Sequence, residues 1–390
     1  MINANLNDWE NRLKDYGTTL SKWLTENLQT SSSSDIRLGI WGTSGAGKTT
    51  YMFMLYEALK ESEMWRIELD PIARKFISKN RDFIRQGIFP PPNEKSKELE
   101  IFSYTLRRKD IASKIVLNFI DAPGEFYEEM LTAKGSKGVV KDKNISSSTP
   151  LSEEKKTPII DYLMSCHGII FLLDPKNTVK NDGSYSSLLE DLFLEFQERS
   201  RRTDTEVNDP RLEQYMAFCV TKVDHENFWS YRKDAQPFVE KVLGKWMSLK
   251  KLQNFCRLEE LNPEKRKKPS KNNRCEFFCI SSVGRYQKDG EWVPPIIYPE
   301  ENNSTQPNSE QTKSSSGLYW DDKESYPSES SQSSTGDWAS SGYQDSPEPV
   351  SENRPTIDPE AVLRPYNVLE PIEWLIKGIQ TNPPFGINSK

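Results

Sequence analysis

The chain has 390 residues, with 52 Lys and Arg against 58 Asp and Glu, a net charge of −6 and a mean hydropathy of −0.74. No stretch of about 18 apolar residues is present, and the amino-terminal MINANLNDWENRLKDYG lacks the apolar segment of a signal peptide, so no transmembrane segment is expected and a cytoplasmic location is. The five cysteines (Cys166, Cys219, Cys256, Cys275 and Cys279) include no CxxC pair, and with only His167 and His225 beside them they predict buried reduced thiols rather than disulfides or zinc ligands.

In chain order, residues 1–34 come first. Leu6, Trp9, Leu13, Tyr16, Leu20 and Trp23 fall at spacings of three and four, which predicts an amphipathic helix whose stripe packs on the following domain, with self-association or a partner helix as the alternative; Gly17 argues against a rigid coiled coil. From residue 35 to 298, apolar strand-like runs alternate with helical ones. Strands are predicted at 36–41, 98–107, 114–121, 168–174, 215–221 and 275–281, and helical periodicity at 49–61, 71–86, 154–166, 186–200 and 231–256. That order predicts an α/β domain in three αβα layers on a mostly parallel sheet. The polar link between 98–107 and 114–121 is too short for a helical crossover, so that pair is predicted to be an antiparallel hairpin. Asp70-Pro71 reads as a helix start, with Arg74, Arg81 and Arg85 on its solvated face.

The basic run Lys265 to Lys268, with Lys271 and Arg274, precedes the last strand and reads as a solvated loop; it lacks the interleaved aromatics of a nucleic-acid surface, so no nucleic-acid binding is expected. Residues 299–356 carry eleven acidic against three basic residues and fifteen Ser, so they have too little apolar surface to offset the entropy of ordering and are expected to be a disordered acidic insertion. Residues 357–390 are expected to complete the domain: Asp358-Pro359 is read as opening a helix that packs Val362, Leu363, Val368, Leu369, Ile372, Trp374, Leu375, Ile376 and Ile379 on the sheet, interrupted by Pro365 and Pro371.

Four segments carry the chemistry. Gly42-Thr43-Ser44-Gly45-Ala46-Gly47-Lys48-Thr49, followed by Thr50, matches GxxxxGK[ST] between a strand and a helix. Glycines there let backbone N–H groups wrap a phosphate, Lys48 reaches its terminal oxygens, and Thr49 offers a hydroxyl to Mg²⁺. Asp121-Ala122-Pro123-Gly124 ends a buried strand; Asp121 suits a metal site and Gly124 can bring a bare N–H to a γ-phosphate. Thr221-Lys222-Val223-Asp224 follows another buried strand, where Asp224 can accept both N1–H and N2–H of guanine and Lys222 can brace the phosphate loop and stack on the purine. Ser281-Ser282-Val283-Gly284 ends the last strand, where backbone N–H groups can meet the guanine carbonyl.

In this order the segments resemble the translation-factor-like and Ras-like superclass of P-loop GTPases, over residues 35–285 plus a final helix. The long spacer with GIFPPPN and the closing NVLEPIEWLIKGI look like the bacterial double-GTPase-type domains found beside signalling or conflict-system modules. The resemblance implies a six-stranded sheet, GTP and GDP as ligands, Mg²⁺ as cofactor, a switch between nucleotide states, and a protein effector or activating partner. Two departures bear on turnover. Glu125 stands where Ras-like enzymes carry a water-orienting glutamine and translation factors a histidine; it is the candidate for positioning water, yet its charge is repelled by a γ-phosphate, so slow hydrolysis is expected. The first switch offers Asn93 or Ser96 in place of the usual Thr. The expected function is therefore a GTP-binding switch with slow hydrolysis, against two alternatives: a non-hydrolysing nucleotide-binding scaffold, and an ATP-using P-loop enzyme in which Asp224 is a turn residue.

Overall fold

A computed structural model describes residues 35–91, 100–110, 114–121, 157–176, 184–203, 211–243, 249–256, 273–297 and 355–384, together with residues 15, 18–20, 22–23 and 25–26. The chain divides into two units, Met1–Pro295 with Ile357–Lys390, and Ile296–Thr356. The second unit is described only at Ile296, Ile297, Pro355 and Thr356, so the expectation of disorder for 299–356 falls almost wholly outside the described residues.

Among the described residues, the first unit is built on a seven-stranded sheet. Its elements run β1 (Ile36–Gly42), α1 (Lys48–Glu61), β2 (Trp65–Leu69), α2 (Pro71–Arg85), β3 (Glu100–Arg108), β4 (Ile115–Asp121), α3 (Thr157–Ser165), β5 (Gly168–Leu173), α4 (Ser184–Thr203), β6 (Tyr215–Val220), α5 (Glu226–Trp229), a 3₁₀ turn (Ser230–Lys233), α6 (Ala235–Leu243), α7 (Leu249–Phe255), β7 (Cys275–Cys279), the hairpin β8 (Tyr286–Lys288) and β9 (Glu291–Val293), and α8 (Glu370–Thr381). The sheet order is β2-β3-β4-β1-β5-β6-β7. All neighbouring pairs are parallel except those made by β3, which is antiparallel to both β2 and β4. The hairpin predicted from the short polar link is present.

Burial on both faces explains why β5 and β6 are unbroken apolar runs, GIIFLL and YMAFCV. Alternate strand residues feed two cores. Trp41, Ile169, Phe171, Met216, Phe218 and Phe277 meet α3, α4, α6 and α7 on one face; Leu38, Ile40, Tyr104, Leu117, Ile170 and Ala217 meet α1, α2 and α8 on the other. Leu20 is fully buried in the first core, and Trp23 packs edge-on against Tyr162, so the described part of the amino-terminal helix packs on the domain as expected. Leu6, Trp9, Leu13 and Tyr16 lie outside the described residues. All five cysteines are buried and reduced.

Several expectations are corrected. The sheet has a seventh strand, β2, whose alternation of buried Trp65 with exposed Arg66 hides a short edge strand inside the spacer between two helices. The periodicity over 231–256 resolves into a 3₁₀ turn, α6 and α7 rather than one helix. Asp358-Pro359 opens a turn; the helix starts at Glu370, and Val362 is exposed. Arg274 is no part of a solvated loop: it is buried, pairs with the Glu213 carboxylate at 2.7 Å and lies over the Tyr215 ring. Lys265 to Lys268 and Lys271 lie outside the described residues. Of the arginines on α2, Arg81 pairs with Glu57 at 2.7 Å and Arg74 donates to the Leu69 carbonyl, while Arg85 is exposed; the structure gives them anchoring and surface positions.

At the amino edge of the parallel strands, His167 Nδ1 accepts the Arg37 N–H at 3.0 Å and the ring faces the Arg37 guanidinium. Burial, aided by that cation, lowers its pKa to about 4. Because the unfolded chain binds this proton at a higher pH, stability is fully present above about pH 6.5 and is lost as pH falls toward 4. The loss amounts to about 3 kcal/mol at most. Urea titrations at pH 7.5 and 4.5 are expected to show this difference and His167→Asn to reduce the slope; an unchanged slope removes His167 as its source.

Candidate functional site

The phosphate-loop, Thr221–Asp224 and Ser281–Gly284 segments, and Asp121 of the other, come to one edge of the sheet, at the carboxyl ends of β1, β6, β7 and β4. In an open α/β sheet this is where ligands bind, beside the point at which the strand order reverses. Here the reversal lies at β1, with β4 on one side and β5 on the other.

After Gly42, the backbone turns through Gly45 and Gly47 with φ of 71° and 83°, a left-handed conformation that side chains disfavour. This turn aims the amino end of α1 at the loop. Gly47 caps that helix without a side-chain bond, and the first turn holds no acidic residue, so its partial positive charge is left for an anion. Lys48 is buried; its ammonium donates to the carbonyls of Gly42 and Thr43, both at 2.8 Å, so the cation sits inside the loop. Thr43 and Ala46 are buried, whereas Ser44, Gly47, Thr49 and Thr50 are half-buried and Gly45 is exposed.

Asp121 ends β4 as Gly42 ends β1; both strands have seven residues and start in register at Ile36 and Ile115. Thr49 and Asp121 thus belong to one edge, and a hydroxyl plus a carboxylate is an oxygen donor set that fits Mg²⁺. Gly124, Glu125, Asn93 and Ser96 lie outside the described residues.

Across β5, Thr221 ties the end of β6 to β5, giving its N–H and hydroxyl to the Leu173 carbonyl at 2.9 and 3.2 Å. Lys222 takes a left-handed φ of 55°, and its ammonium bonds Asp174 at 2.6 Å rather than the phosphate loop. Asp224 is 2% exposed. Its Oδ1 accepts the Ser281 hydroxyl at 2.5 Å, while Oδ2 is buried without a hydrogen-bond partner among the described residues. Burial raises its pKa, opposed by the Ser281 hydroxyl and by the Arg285 and Lys222 charges. A buried carboxylate oxygen with no donor costs roughly 1–3 kcal/mol or more, so the site is built for a donor that arrives from outside.

The last segment sits against Asp224. Ser281 Oγ also accepts the Gly284 N–H at 2.8 Å, Val283 is buried and Ser282 half-buried. Gly284 has φ 69°, and a Cβ there would come within 1.7 Å of the Arg364 carbonyl oxygen. Arg285 Nε donates to the Asp224 carbonyl at 2.7 Å, and its guanidinium lies over Trp229.

Sequence reasoning missed Asp174, Arg285 and Tyr366, whose backbone pairs with Ser281. Asp174 had a signal, because it ends the apolar run GIIFLLD as Asp121 ends KIVLNFID. Arg285 and Tyr366 had none.

The β1–glycine loop–α1 turn with its buried lysine, the buried acid just beyond β6 and its serine just beyond β7 are the marks of a P-loop domain of the GTPase type. The family model Double-GTPase 2 matches residues 36–272, and the chain belongs to that family. No curated protein is detectably similar in sequence. Among solved structures, the chain is similar to the signal recognition particle receptor SRb-GTP/SRX complex from Chaetomium thermophilum (15% identity, 65% of this chain and 95% of that one, TM-score 0.29). It is also similar to the Arl6 BBS3 small GTPase from Trypanosoma brucei with bound GppNp (10%, 64% and 87%, TM-score 0.28) and to the S. cerevisiae Ski7 GTPase-like domain bound to GTP (10%, 64% and 43%, TM-score 0.29). At these scores the family membership rests on the sequence match. Among the described residues, no helix is long and apolar enough to cross a membrane.

Proposed function

We propose that the chain binds GTP and GDP and acts as a nucleotide-dependent switch that hydrolyses GTP slowly. The buried, unpartnered Oδ2 of Asp224 carries this reading. Guanine presents adjacent N1–H and N2–H donors that Oδ2 and its carboxylate can accept; adenine presents no such pair, so with adenine the oxygen stays unpaired. The phosphates extend to the loop at Lys48, whose ammonium and the α1 amino terminus stabilise negative charge as it develops. Thr49 and Asp121 would hold Mg²⁺, which when bound neutralises charge on the phosphate oxygens. Glu125 would orient the water, and a protein partner would read the nucleotide state or speed turnover.

Glu125 also supports a second reading, a scaffold that holds nucleotide without hydrolysis, because a carboxylate is repelled by the γ-phosphate it must approach. Nucleotide released from gently purified protein is expected to be GDP or GTP, and in competition GTP is expected to displace labelled GDP while ATP does not. Equal displacement by ATP ends the guanine reading. Single-turnover phosphate release then separates the two forms: slow release supports the hydrolase, and tight GTP binding with no release under any condition supports the scaffold.

A further inference from the structure

The segment Arg364–Val368 returns to the domain far along the chain from all four motifs, yet it bonds to the last of them and to the helix that follows the first. Tyr366 exchanges both backbone hydrogen bonds with Ser281, giving its N–H to the Ser281 carbonyl at 2.8 Å and accepting the Ser281 N–H at 3.0 Å. The Arg364 N–H donates to the Val283 carbonyl at 3.2 Å, and the absent Cβ of Gly284 is what lets the Arg364 carbonyl lie against that turn. Two residues after Tyr366, the Val368 carbonyl accepts the Tyr51 hydroxyl at 3.0 Å, and Tyr51 is a fully buried residue of α1, one turn after Lys48. The Tyr366 ring packs edge-on against Trp229, and its hydroxyl donates to the Arg232 carbonyl.

One short segment therefore joins the helix that starts at the phosphate loop to the turn that orients Asp224. We propose that Arg364–Val368 positions the base-recognition turn, with Tyr366 and Tyr51 as positioning residues, so that loosening this strap lowers guanine preference and speeds nucleotide release. The inference rests on the guanine-nucleotide reading of the site. Its physical basis is that, among the described residues, no strand lies beyond β7 to fix the Ser281 backbone: its N–H and carbonyl are both satisfied by Tyr366, and its hydroxyl then fixes Oδ1 of Asp224. A turn held by three bonds to a segment so remote in sequence moves when that segment moves.

Tyr51→Phe removes one bond of the strap and nothing else from the site. GDP is expected to dissociate about fivefold faster from this variant, the factor one net hydrogen bond is worth, and the affinity ratio of GDP to ADP is expected to fall. That ratio is independent of the folded fraction, so a merely structural defect does not move it. The exposed Val362→Ser is expected to match wild type in both. Hydrogen exchange on the wild-type full chain gives a test that needs no variant to fold: GDP is expected to slow exchange at Tyr366 together with residues 281–284. Wild-type rate and ratio in Tyr51→Phe, or protection of 281–284 without Tyr366, overturns the strap alone; a wild-type chain that holds no GDP overturns the guanine reading and the strap with it.

Discussion

Asp224→Asn is expected to lower GDP affinity about 10³-fold and to leave the fold intact. Each charge-assisted bond from a guanine N–H to the carboxylate is worth about 2 kcal/mol, and two together make about 4 kcal/mol, or three decades. The amide that replaces Oδ2 turns an acceptor into a donor and sets it against the guanine amino group, so attraction becomes conflict. The fold is retained because the other contacts survive: an amide oxygen still accepts the Ser281 hydroxyl, and Arg285 bonds the backbone carbonyl rather than the side chain. Xanthosine diphosphate carries an oxygen where guanine carries its amino group, so the same substitution is expected to raise affinity for it. Titration calorimetry with both nucleotides checks the pair of effects. Unchanged GDP affinity in a folded variant places the base elsewhere.

The strands most legible in the sequence are those buried on both faces, because there every side chain must be apolar: GIIFLL and YMAFCV declare themselves without any knowledge of their neighbours. β2 does not, since an edge strand has one wet face and only five residues. The same dipeptide gives two outcomes at Asp70-Pro71 and Asp358-Pro359. Asp70 accepts the N–H three residues on, at Ala73, and the helix it caps buries Ala73, Phe76 and Ile77 in the core. Asp358 accepts the N–H two residues on, at Glu360, and spends its other oxygen on Tyr286 and Lys288; Pro365 then forbids a helix through the next turn. What separates the two is the partner surface, which the local sequence does not contain.

The site divides in the same way. Lys48, Asp121, Asp224 and Ser281 were legible because each lies at the end of a buried strand or within six residues beyond it, at a fixed spacing from glycine or lysine, and the chemistry of a phosphate and a purine demands those groups. Asp174 and Tyr366 act on the site through Lys222 and Ser281, by contacts that span 48 and 85 residues of chain. The second of these contacts spans the acidic stretch 299–356, so its pairing follows from how the sheet and the returning segment close, not from any pattern along the chain.

Lys48→Ala is expected to lower GTP affinity about 10²-fold or more and GDP affinity less, and to slow single-turnover phosphate release about 10³-fold where release is measurable. The ammonium is already placed by two carbonyls of the loop, at Gly42 and Thr43, so it is a preorganised cation whose removal leaves the terminal phosphate charge without its nearest compensation. Loss of a single such donor typically costs two to three decades in rate. Lys48→Arg keeps the charge but is expected to recover only part of the loss, since a planar fork does not fit where a compact ammonium donates to two carbonyls. The comparison with Asp224→Asn decides whether one ligand spans both groups. Guanosine, with no phosphate, is expected to lose affinity in Asp224→Asn and to keep it in Lys48→Ala, whereas GTP loses it in both, and the losses in the double variant add because the two side chains touch opposite ends of the ligand. If Lys48→Ala leaves GTP retention and phosphate release at wild-type values, the loop holds no phosphate of a nucleotide bound at Asp224, and the two halves of the site serve different ligands.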